Sequence, residues 1–526
     1  MSAVRVVFLL DIDWAGRRWT AATETVEVEI DGETVLYPAG LSIDYEESID
    51  RLSLEPPELG AAFELDLEAA ADWAAMRLHG HRWSTATATV RQVIVTDGVP
   101  GAVIGLVTGR LRGVEYGDDD RSTGYLRGRV EALASVDTSR LVPYTWRASD
   151  TAWPEIVDAP LRSGLGTYPA RIIGRPGLVR GATDQAVAAA PAIAVEWSLG
   201  PVVDTLLIAG HVLTETDVWV TDGTAWDLLA VTTSTDGTGR LVSTVDLTGG
   251  GVTVSRDTGT AYWWACSSTT GAGSLALATD HPGLGSVVLA LLELSTLSID
   301  RARIAKAVAV LDQIEVHCVI TDESASAWDV VSKLLELYPC SVRRGADGIY
   351  IEPLDPPTRA EDCAHRLVDG VDGWLDGPME VIDTDAPSSI EVVWGLDQDS
   401  GGWTGLVRLV PDATDDDGDL VADTEAVHGL ALDPSGDPIR VEADAIYDPT
   451  SARRVALAQL LALPLVQERG TMLLPADRYD VGLGQWVAVE SDHLGRTMIG
   501  QVIARRWSSG DGVWRLGILV EDRPGR

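Results

Sequence analysis

The sequence predicts a mainly β protein with a few helices, an α+β chain divided into several domains. Short apolar runs alternate residue by residue with polar ones, which is the pattern of half-buried strands. Turns rich in Gly and Asp separate these runs at short intervals. The chain has 526 residues, more than one hydrophobic core normally supports, so we expect roughly three to four domains.

The charge of the chain is its unusual property. Hydrophobic residues make up 45% and charged residues 23%, which is ordinary for a folded protein, but 80 acidic residues against 40 basic ones give a formal net charge of -40. Such a surface repels phosphates, which argues against specific nucleic-acid binding. A tube lined with carboxylates would let DNA pass without sticking, whereas the alternative is that the acidity serves solubility or reflects a saline habitat.

The cysteines and the N-terminal residues do not indicate a metal site or a secretory signal. The four cysteines are widely spaced and show no zinc-finger spacing, so we interpret them as buried thiols. The N-terminal apolar run leads directly into Asp11 and Asp13, which does not fit a secretory signal. No apolar stretch reaches about 18 residues, so no membrane span is expected. The cysteines are Cys266, Cys318, Cys340 and Cys363.

Residues 1–150 are predicted to form a β-barrel-like domain with one inserted helix. Val26, Val28 and Ile30 alternate with acidic residues before an Asp-Gly turn, which indicates a hairpin. Residues 59–78 carry apolar side chains at helical spacing between Pro and Gly, so we expect a helix there. A second long hairpin is predicted over residues 103–133, turning at residues 117–124.

This second hairpin carries a basic face. Arg110 and Arg112 share one face of its first strand, and Arg127 and Arg129 share one face of its second. On so acidic a chain, these four arginines are candidates for a subunit interface. The alternative is the solvated outer face of a two-stranded ribbon, since alternation places polar side chains outward by default.

Residues 151–283 are predicted to be an inserted β-sandwich module. Short strands at 205–208, 217–220 and 241–247 are separated by Asp-Gly turns. The module is also rich in Trp, and exposed Trp side chains are a common platform for sugars. Core or interface positions are the alternative, because large aromatic side chains bury the most area. The candidate residues for a glycan platform are Trp219, Trp226, Trp263 and Trp264.

The remaining residues divide into two predicted domains. Residues 284–377 are expected to form an α+β domain, with a helix capped by Ser324 or Ser326 and followed by a hairpin over residues 341–354. Residues 378–526 are expected to form a C-terminal β-barrel-like domain. It begins its helix at Asp448 and Pro449 and continues with strands at 471–474, 486–490, 497–507 and 513–520.

The order of these elements resembles that of the tail hub proteins of bacteriophages and of phage-derived gene transfer agents. Two runs carry the resemblance. Residues 324–354 read SASAWDVVSKLLELYPCSVRRGADGIYIEPL, similar to that family's helix and hairpin with an Asp-Gly turn. Residues 448–489 read DPTSARRVALAQLLALPLVQERGTMLLPADRYDVGLGQWVAV, similar to its late helix, strand and Val-Gly-x-Gly-x-x-Val turn. Residues 151–273 depart from the minimal hub and are interpreted as an insertion.

The resemblance implies a structural protein of the phage tail tip or baseplate. It implies a homotrimer in which each subunit gives two barrel-like domains to a pseudo-sixfold ring, adapting a sixfold tail tube to a threefold tip while DNA passes through. The implied partners are the distal tail protein, the tape measure protein and tail fibre or tip proteins. The implied location is the tail tip of the virion, after assembly in the host cytoplasm. An acidic bore and strand edges for lateral pairing fit this interpretation.

No motif for catalysis or for a cofactor is present in the sequence. We find no H-E-x-x-H helix, nucleophile elbow, phosphate-binding loop or dinucleotide fingerprint, so we expect a protein that is not an enzyme and has no cofactor. A carbohydrate- or cell-surface-binding protein remains the first alternative. The second is a glycoside hydrolase of cell-wall glycan, which needs two carboxylates about 5 to 10 Å apart. A weak candidate for a cation site is the acidic run with Asp415, Asp417 and Asp419.

Overall fold

The computed structural model describes residues 4–48, 54, 60–67, 82, 85–118, 124–132, 137–139, 141, 171–173, 190–197, 203–209, 211–213, 217–221, 226–235, 241–247, 262–266, 282–320, 322, 324–345, 348–382, 386–397, 401–410, 424–426, 432–433, 435–463, 466–478, 480–508 and 512–522. They form a 14-stranded sheet, a closed six-stranded barrel, several smaller sheets and four helices. The predicted mainly β fold with several sheets is confirmed. Within these ranges, no helix is long and apolar enough to cross a membrane.

The N-terminal half of the large sheet has seven strands. They are β1 (Val4–Trp14), β2 (Arg17–Ala22), β5 (Leu41–Ser48), β6 (Gly60–Leu67), β7 (Thr87–Thr96), β8 (Val99–Asp118) and β9 (Gly124–Ala132). Their spatial order is β2-β1-β7-β8-β9-β6-β5. β1 also lies close to β5, so this half curls around its apolar side chains. The hairpin of β3 (Val26–Ile30) and β4 (Glu33–Tyr37) covers the opposite face of β1 and β7.

The C-terminal half supplies the other seven strands. They are β20 (His365–Val368), β21 (Trp374–Leu375), β22 (Glu380–Ile382), β27 (Val466–Pro475), β28 (Trp486–Ser491), β29 (Arg496–Ser508) and β30 (Val513–Asp522). The order continues from β5 as β29-β30-β27-β21, with β22 on β27 and β28 between β29 and β20. The four late strands predicted from the sequence are confirmed. Antiparallel pairing of β5 with β29 makes one sheet of the two halves.

Three tight turns set the register of the N-terminal hairpins. Ala15-Gly16, Asp31-Gly32 and Asp97-Gly98 each place two consecutive residues at positive φ, between 50° and 84°. This geometry belongs to the two-residue hairpin turn whose twist matches that of the flanking strands, and Asp or Gly adopts it at low cost. The hairpin predicted at Asp31-Gly32 is therefore confirmed as β3 and β4.

The junction between the two halves is closed by aromatic side chains. Phe8 of β1 lies 5.6 Å from Trp507 and 6.2 Å from Trp514 between ring centroids, and the two indoles are 5.0 Å apart. Trp514 is fully buried, and the Arg505 guanidinium lies 3.8 Å above its ring. Tilted aromatic pairs and a stacked guanidinium both add to the free energy of burial. Side chains from the two ends of the chain thus form one core.

The helix predicted over residues 59–78 is wrong for its first part. Residues Gly60–Leu67 form strand β6, paired with β5 on one side and β9 on the other. Ala61, Phe63 and Leu65 are buried while Ala62 is exposed, which is an alternation of period two. The long-range partners therefore override the helical preference of Ala, Leu and Glu. Residues 68–78 lie outside the described residues.

The middle module is a closed barrel rather than the predicted two-sheet sandwich. Its strands are β11 (Ala190–Trp197), β12 (Val203–Ala209), β13 (Asp217–Thr221), β14 (Trp226–Thr235), β15 (Leu241–Asp246) and β16 (Tyr262–Cys266). Their order is β11-β12-β15-β14-β13-β16. β16 pairs with both β13 and β11, so the last strand closes the sheet on itself and leaves no free edge. Strand content was predictable here, but closure depends on a non-local pairing.

Both ends of this module are fixed to one short segment of the chain. β10 (Arg171–Ile173) pairs with β17 (Cys318–Ile320), and Ile173 lies opposite Cys318. On the return, the Val316 amide donates to the Pro282 carbonyl oxygen at 3.0 Å. The chain therefore leaves the surrounding core at Ile173 and re-enters it at Pro282 beside the same strand.

The other described elements form a second core. The helices are α1 (Leu284–Leu294), α2 (Arg301–Leu311), α3 (Ala327–Leu335) and α4 (Pro449–Ala462). The strands are β18 (Cys340–Gly345), β19 (Gly348–Pro353), β23 (Ile390–Leu396), β24 (Trp403–Val410), β25 (Thr424–Ala426) and β26 (Ile439–Ala443). The apolar residues of this core come from both sides of the predicted boundary between 377 and 378.

The local signals in this second core are confirmed by the structure. Ser326 caps α3 in a reciprocal box with Asp329, and Asp448 caps α4 with Pro449 in the first turn. The predicted hairpin is β18 and β19. Cys318 and Cys340 are free and buried, as expected, and burial raises the pKa of the Cys340 thiol to about 12. Cys363 is half-buried, and the side chain of Cys266 lies outside the description.

The aromatic junction gives a first testable prediction. Trp514→Ala is expected to lower the free energy of unfolding of the large sheet by about 3 to 5 kcal/mol, because it opens a cavity shared by both halves. In a calorimetric scan, the transition in which the large sheet unfolds should move to a lower temperature. Trp374→Ala is the matched control, since Trp374 is 56% exposed and its removal should leave that transition in place. Equal effects of the two substitutions would contradict the role of the junction.

Candidate functional site

The four arginines predicted to form an interface lie together on the exposed face of the N-terminal half-sheet. The predicted hairpin is β8 and β9, and the register places Arg112 opposite Arg129 and Arg110 opposite Glu131. All four arginine residues are exposed, and the buried residues between them, such as Leu111 and Val130, point into the core. The structure therefore brings together the two pairs that the sequence suggested. Whether they contact another subunit remains a prediction.

A bulge shapes this surface. Four residues of β8, from Arg112 to Glu115, oppose three residues of β9, from Arg127 to Arg129, so one extra residue is inserted beside Gly113. Gly113 has φ +55°, and a Cβ at Gly128 would lie 3.0 Å from the Phe63 ring. Ala62 on β6 and the two glycines line a concavity of about 470 Å³. Bulges of this kind redirect side chains, and the charged residues around this concavity are three arginines and four carboxylates. They are Arg112, Arg127, Arg129, Asp44, Glu64, Glu115 and Glu131.

The arginines differ in their partners. Arg127 pairs with Glu64 at 2.6 Å and lies 4.5 Å from the Tyr125 ring, while Arg112 is 3.6 Å from Glu131. Among the described residues, no ion pair within 4 Å involves Arg110 or Arg129. Arg129 and Arg112 are cross-strand neighbours of like charge, an arrangement that destabilises an isolated sheet. A carboxylate bound between them would remove this repulsion.

Among the side chains that the structure describes, this surface carries as many arginines as carboxylates although the whole chain is strongly acidic. Five arginines and five acidic residues follow one another across strands β29, β5, β6, β9 and β8, so their charges cancel. Against a chain total of -40, a neutral surface is the place where a second acidic molecule approaches at the lowest electrostatic cost. The ten residues are Arg110, Arg112, Arg127, Arg129, Arg506, Asp44, Glu46, Glu64, Glu115 and Glu131.

The candidates for a glycan platform lie on three neighbouring strands of the barrel. The register places Trp226 and Trp263 opposite Thr221, and Trp264 opposite Val220. Trp219 is half-buried and two residues from Thr221 on the same strand. Positions opposite one another share a face, so Trp264 belongs to the other face of the sheet from Trp219. Carbohydrate binding by these four residues stays a prediction.

The predicted cation site cannot be placed. Asp415, Asp417 and Asp419 lie outside the described residues. In the described part of the chain, no group of three or more His, Cys, Asp or Glu side chains is arranged to hold a metal ion.

A cleft that the sequence did not indicate lies between β17, α3 and the segment after β26. It has a volume of about 430 Å³. Its walls combine apolar side chains with Asp322, Lys333 and Asp444 from three separate parts of the chain. His317, 2% exposed, lies at the back, 3.3 Å from Glu315. Because residues more than a hundred positions apart build it, no local sequence signal could have revealed it. The lining residues are His317, Cys318, Val319, Ile320, Asp322, Ser324, Ala325, Asp329, Val330, Lys333, Leu334, Asp444, Ala445 and Tyr447.

The carboxyl groups of the cleft differ in their electrostatic environment. Asp444 reaches solvent in the cleft, but protein atoms crowd it, and this desolvation raises its pKa in spite of the nearby Lys333 ammonium group. The opposite holds for Asp322, where hydrogen bonds from the Ser324 hydroxyl and amide lower the pKa. Lys333 interacts with both carboxyl groups.

Comparisons with known proteins return tail proteins. No protein-family model and no curated protein matches the chain. Similar solved structures include the tail protein from Neisseria meningitidis MC58, at 10% identity and TM-score 0.39, covering 98% of this chain and 97% of that chain. The 43 kDa tail protein of prophage MuSo2 from Shewanella oneidensis is similar at 7% identity and TM-score 0.35, with 98% of both chains covered.

A third similar chain comes from the virion of a native gene transfer agent particle, at 15% identity and TM-score 0.36, covering 68% of this chain and 85% of that chain. All three are phage-type tail or virion structures, so the resemblance to phage tail proteins that the sequence indicated is confirmed. Identities and TM-scores this low carry no argument about the function of the chain.

The raised pKa of Asp444 gives a prediction with a definite sign. A carboxyl group with a folded-state pKa above its unfolded value favours the folded protein at low pH and loses that contribution as pH rises. Relative to Asp444→Asn, the wild-type chain should therefore lose thermal stability as the pH rises above the ordinary carboxyl pKa of about 4.

Asp433→Asn is the matched control for this experiment. The Ser435 amide and hydroxyl donate to Asp433 and lower its pKa, so its contribution changes only below about pH 4. The difference between wild type and Asp433→Asn should be constant from pH 4 to pH 6. A constant difference for Asp444→Asn as well would contradict the desolvation of Asp444.

Proposed function

We propose that this chain is a structural hub protein of a phage-type tail tip or baseplate, without enzymatic activity. Three copies form a ring that adapts a sixfold tail tube to a threefold tip and lets DNA pass through its centre. The single observation that supports this best is the pairing of β5 with β29, which sets two half-sheets side by side in one chain. Three copies of such a chain present six comparable units around an axis.

The charge supports the same proposal. A ring whose subunits each carry -40 repels phosphates from its walls, so DNA transits without being held. The surface of balanced charge on strands β5, β6, β8 and β9 supplies a place for contact between subunits. We expect the same surface to be available to other tail proteins. By resemblance, these partners are the distal tail protein, the tape measure protein and fibre or tip proteins. The protein acts in the virion tail tip after assembly in the host cytoplasm.

The mass of the purified chain in solution tests this proposal. Light scattering should give three times the 56.1 kDa of one chain, and negative-stain images should show rings with a central hole. In a native gel at low salt, duplex DNA should have the same mobility with and without the protein. A chain that stays monomeric at every concentration reached, or one that retains DNA, would count against the hub.

A further inference from the structure

We infer that the second core tilts against the large sheet, because the two meet at a polar interface that water can enter. The hairpin of β18 and β19 forms the side of this interface that belongs to the second core. Strands β5 and β29 and the turn at Gly484 form the other side. The inference goes beyond the proposed function, since it concerns a motion within one chain and holds whether or not copies assemble.

The β18–β19 hairpin has an apolar face and a polar face. Successive residues of a strand point to opposite faces, so the residues that alternate with its apolar ones share the second face. On that face, Arg343 lies opposite Tyr350 and Ser341 lies opposite Glu352. Ser341 and Arg343 are nevertheless buried, so another part of the chain covers the polar face. The apolar residues, which pack into the second core, are Cys340, Val342, Ile349 and Ile351.

Arg343 crosses the interface and contacts the large sheet. A Cβ atom at Gly484 would overlap the Cζ atom of Arg343, so the guanidinium group packs on the backbone of that turn. The turn itself belongs to the large sheet. The Gly484 amide donates to the Val502 carbonyl oxygen at 2.7 Å, and the Gln501 side chain donates to the Gly484 carbonyl oxygen at 3.0 Å. Glycine at this position therefore leaves the room that Arg343 occupies.

Arg343 is a buried cation with an incomplete set of partners. Its side chain is 2% exposed and pairs with Glu352. In the described part of the chain, no residue accepts a hydrogen bond from its Nη1 or Nη2 atom. Burial of an unsatisfied charged donor costs free energy, which water returns when the group is exposed. Hydration of Arg343 therefore favours the open interface and offsets part of the packing that opening removes.

A carboxylate lies on each side of the interface. Glu352 reaches solvent, but protein atoms crowd it, and this desolvation raises its pKa in spite of the nearby Arg343. Across the interface, Glu47 pairs with Arg505 at 3.5 Å, and its charge acts on the Tyr350 hydroxyl group. Separation of such groups restores their hydration, whereas separation of apolar surfaces exposes area that water disfavours. This interface therefore opens at a lower cost in free energy than an apolar one of equal area.

The chain connections permit a tilt but not a dissociation. The chain passes four times between the large sheet and the second core. Leu54, which follows β5, packs against the second core and also limits the motion. Both ends of the middle barrel are fixed to the second core, at β17 and at Val316. A tilt of this core therefore carries the barrel to a new position relative to the large sheet.

Thiol labelling measures the opening directly. Ser341→Cys places a thiol on the polar face of the hairpin, and Cys340→Ala removes the neighbouring thiol. Cys318 is buried in the second core and reports its unfolding. Each labelling rate is divided by the rate of the same thiol in urea, and mass spectrometry of the peptides separates the sites. Position 341 should react about tenfold faster than Cys318 on this scale, because the interface opens while the core stays folded.

Equal relative rates at the two positions would overturn the inference. Position 341 would then be reached only through unfolding of the second core, and the interface would not open by itself.

Removal of the partner of Arg343 should open the interface further. Glu352→Gln leaves the buried guanidinium group without its counter-charge, so labelling at position 341 should rise about tenfold or more. Labelling of Cys318 should stay unchanged. Glu361→Gln is the matched control, because the Glu361 side chain is 69% exposed and lies outside the interface. It should leave both rates as they are.

A steric test uses the glycine that contacts Arg343. Gly484→Ala places a methyl group against the guanidinium group and should raise labelling at position 341 by a similar factor. Gly495→Ala is the control, because Gly495 has φ +66° against +80° at Gly484, with nothing that the structure describes within 4 Å of the added methyl group. In a chain that also carries Arg343→Ala, Gly484→Ala should lose its effect. If neither Glu352→Gln nor Gly484→Ala changes the labelling at position 341, the inference is wrong.

Discussion

The structure depends on the pairing of β5 with β29 and on the aromatic side chains packed behind that pair. Strand pairing between residues more than 450 positions apart is costly in chain entropy, and backbone hydrogen bonds alone do not offset it. Phe8, Trp507 and Trp514 supply the buried apolar area that does. Because they belong to both ends of the chain, neither half-sheet has a complete core without the other.

The local part of the fold could be predicted from the sequence, and the non-local part could not. Asp31-Gly32, the Ser326 capping box and the Asp448-Pro449 helix start each depend on a few adjacent residues, and each was found. Strand β6 was missed because Ala, Leu and Glu favour a helix until two neighbouring strands bind them as a sheet. Barrel closure by β16 was missed for the same kind of reason, since one pairing partner lies about seventy residues away.

The candidate site shows the same division. Alternation along β8 and β9 placed the four arginines on shared faces, which the register confirms. The floor of the concavity needed a bulge at Gly113 and an alanine on β6, and no sequence pattern relates these positions. Neutrality of the surface is also non-local, because its five carboxylates come from four different strands. Charge composition alone does not locate such a surface, whereas the sheet order shows which strands bring its charged residues together.

The anchoring of the middle barrel has a consequence for how such a chain changes over evolutionary time. Ile173 and Pro282 are tied to neighbouring residues of one segment, so the part of the chain that forms the barrel begins and ends beside the same strand. Closing such a loop costs little more entropy for a long insert than for a short one. The intervening residues can therefore be exchanged for an unrelated unit, or lost, while the two attachment points stay side by side. A molecule built this way can acquire a new module in a single recombination event.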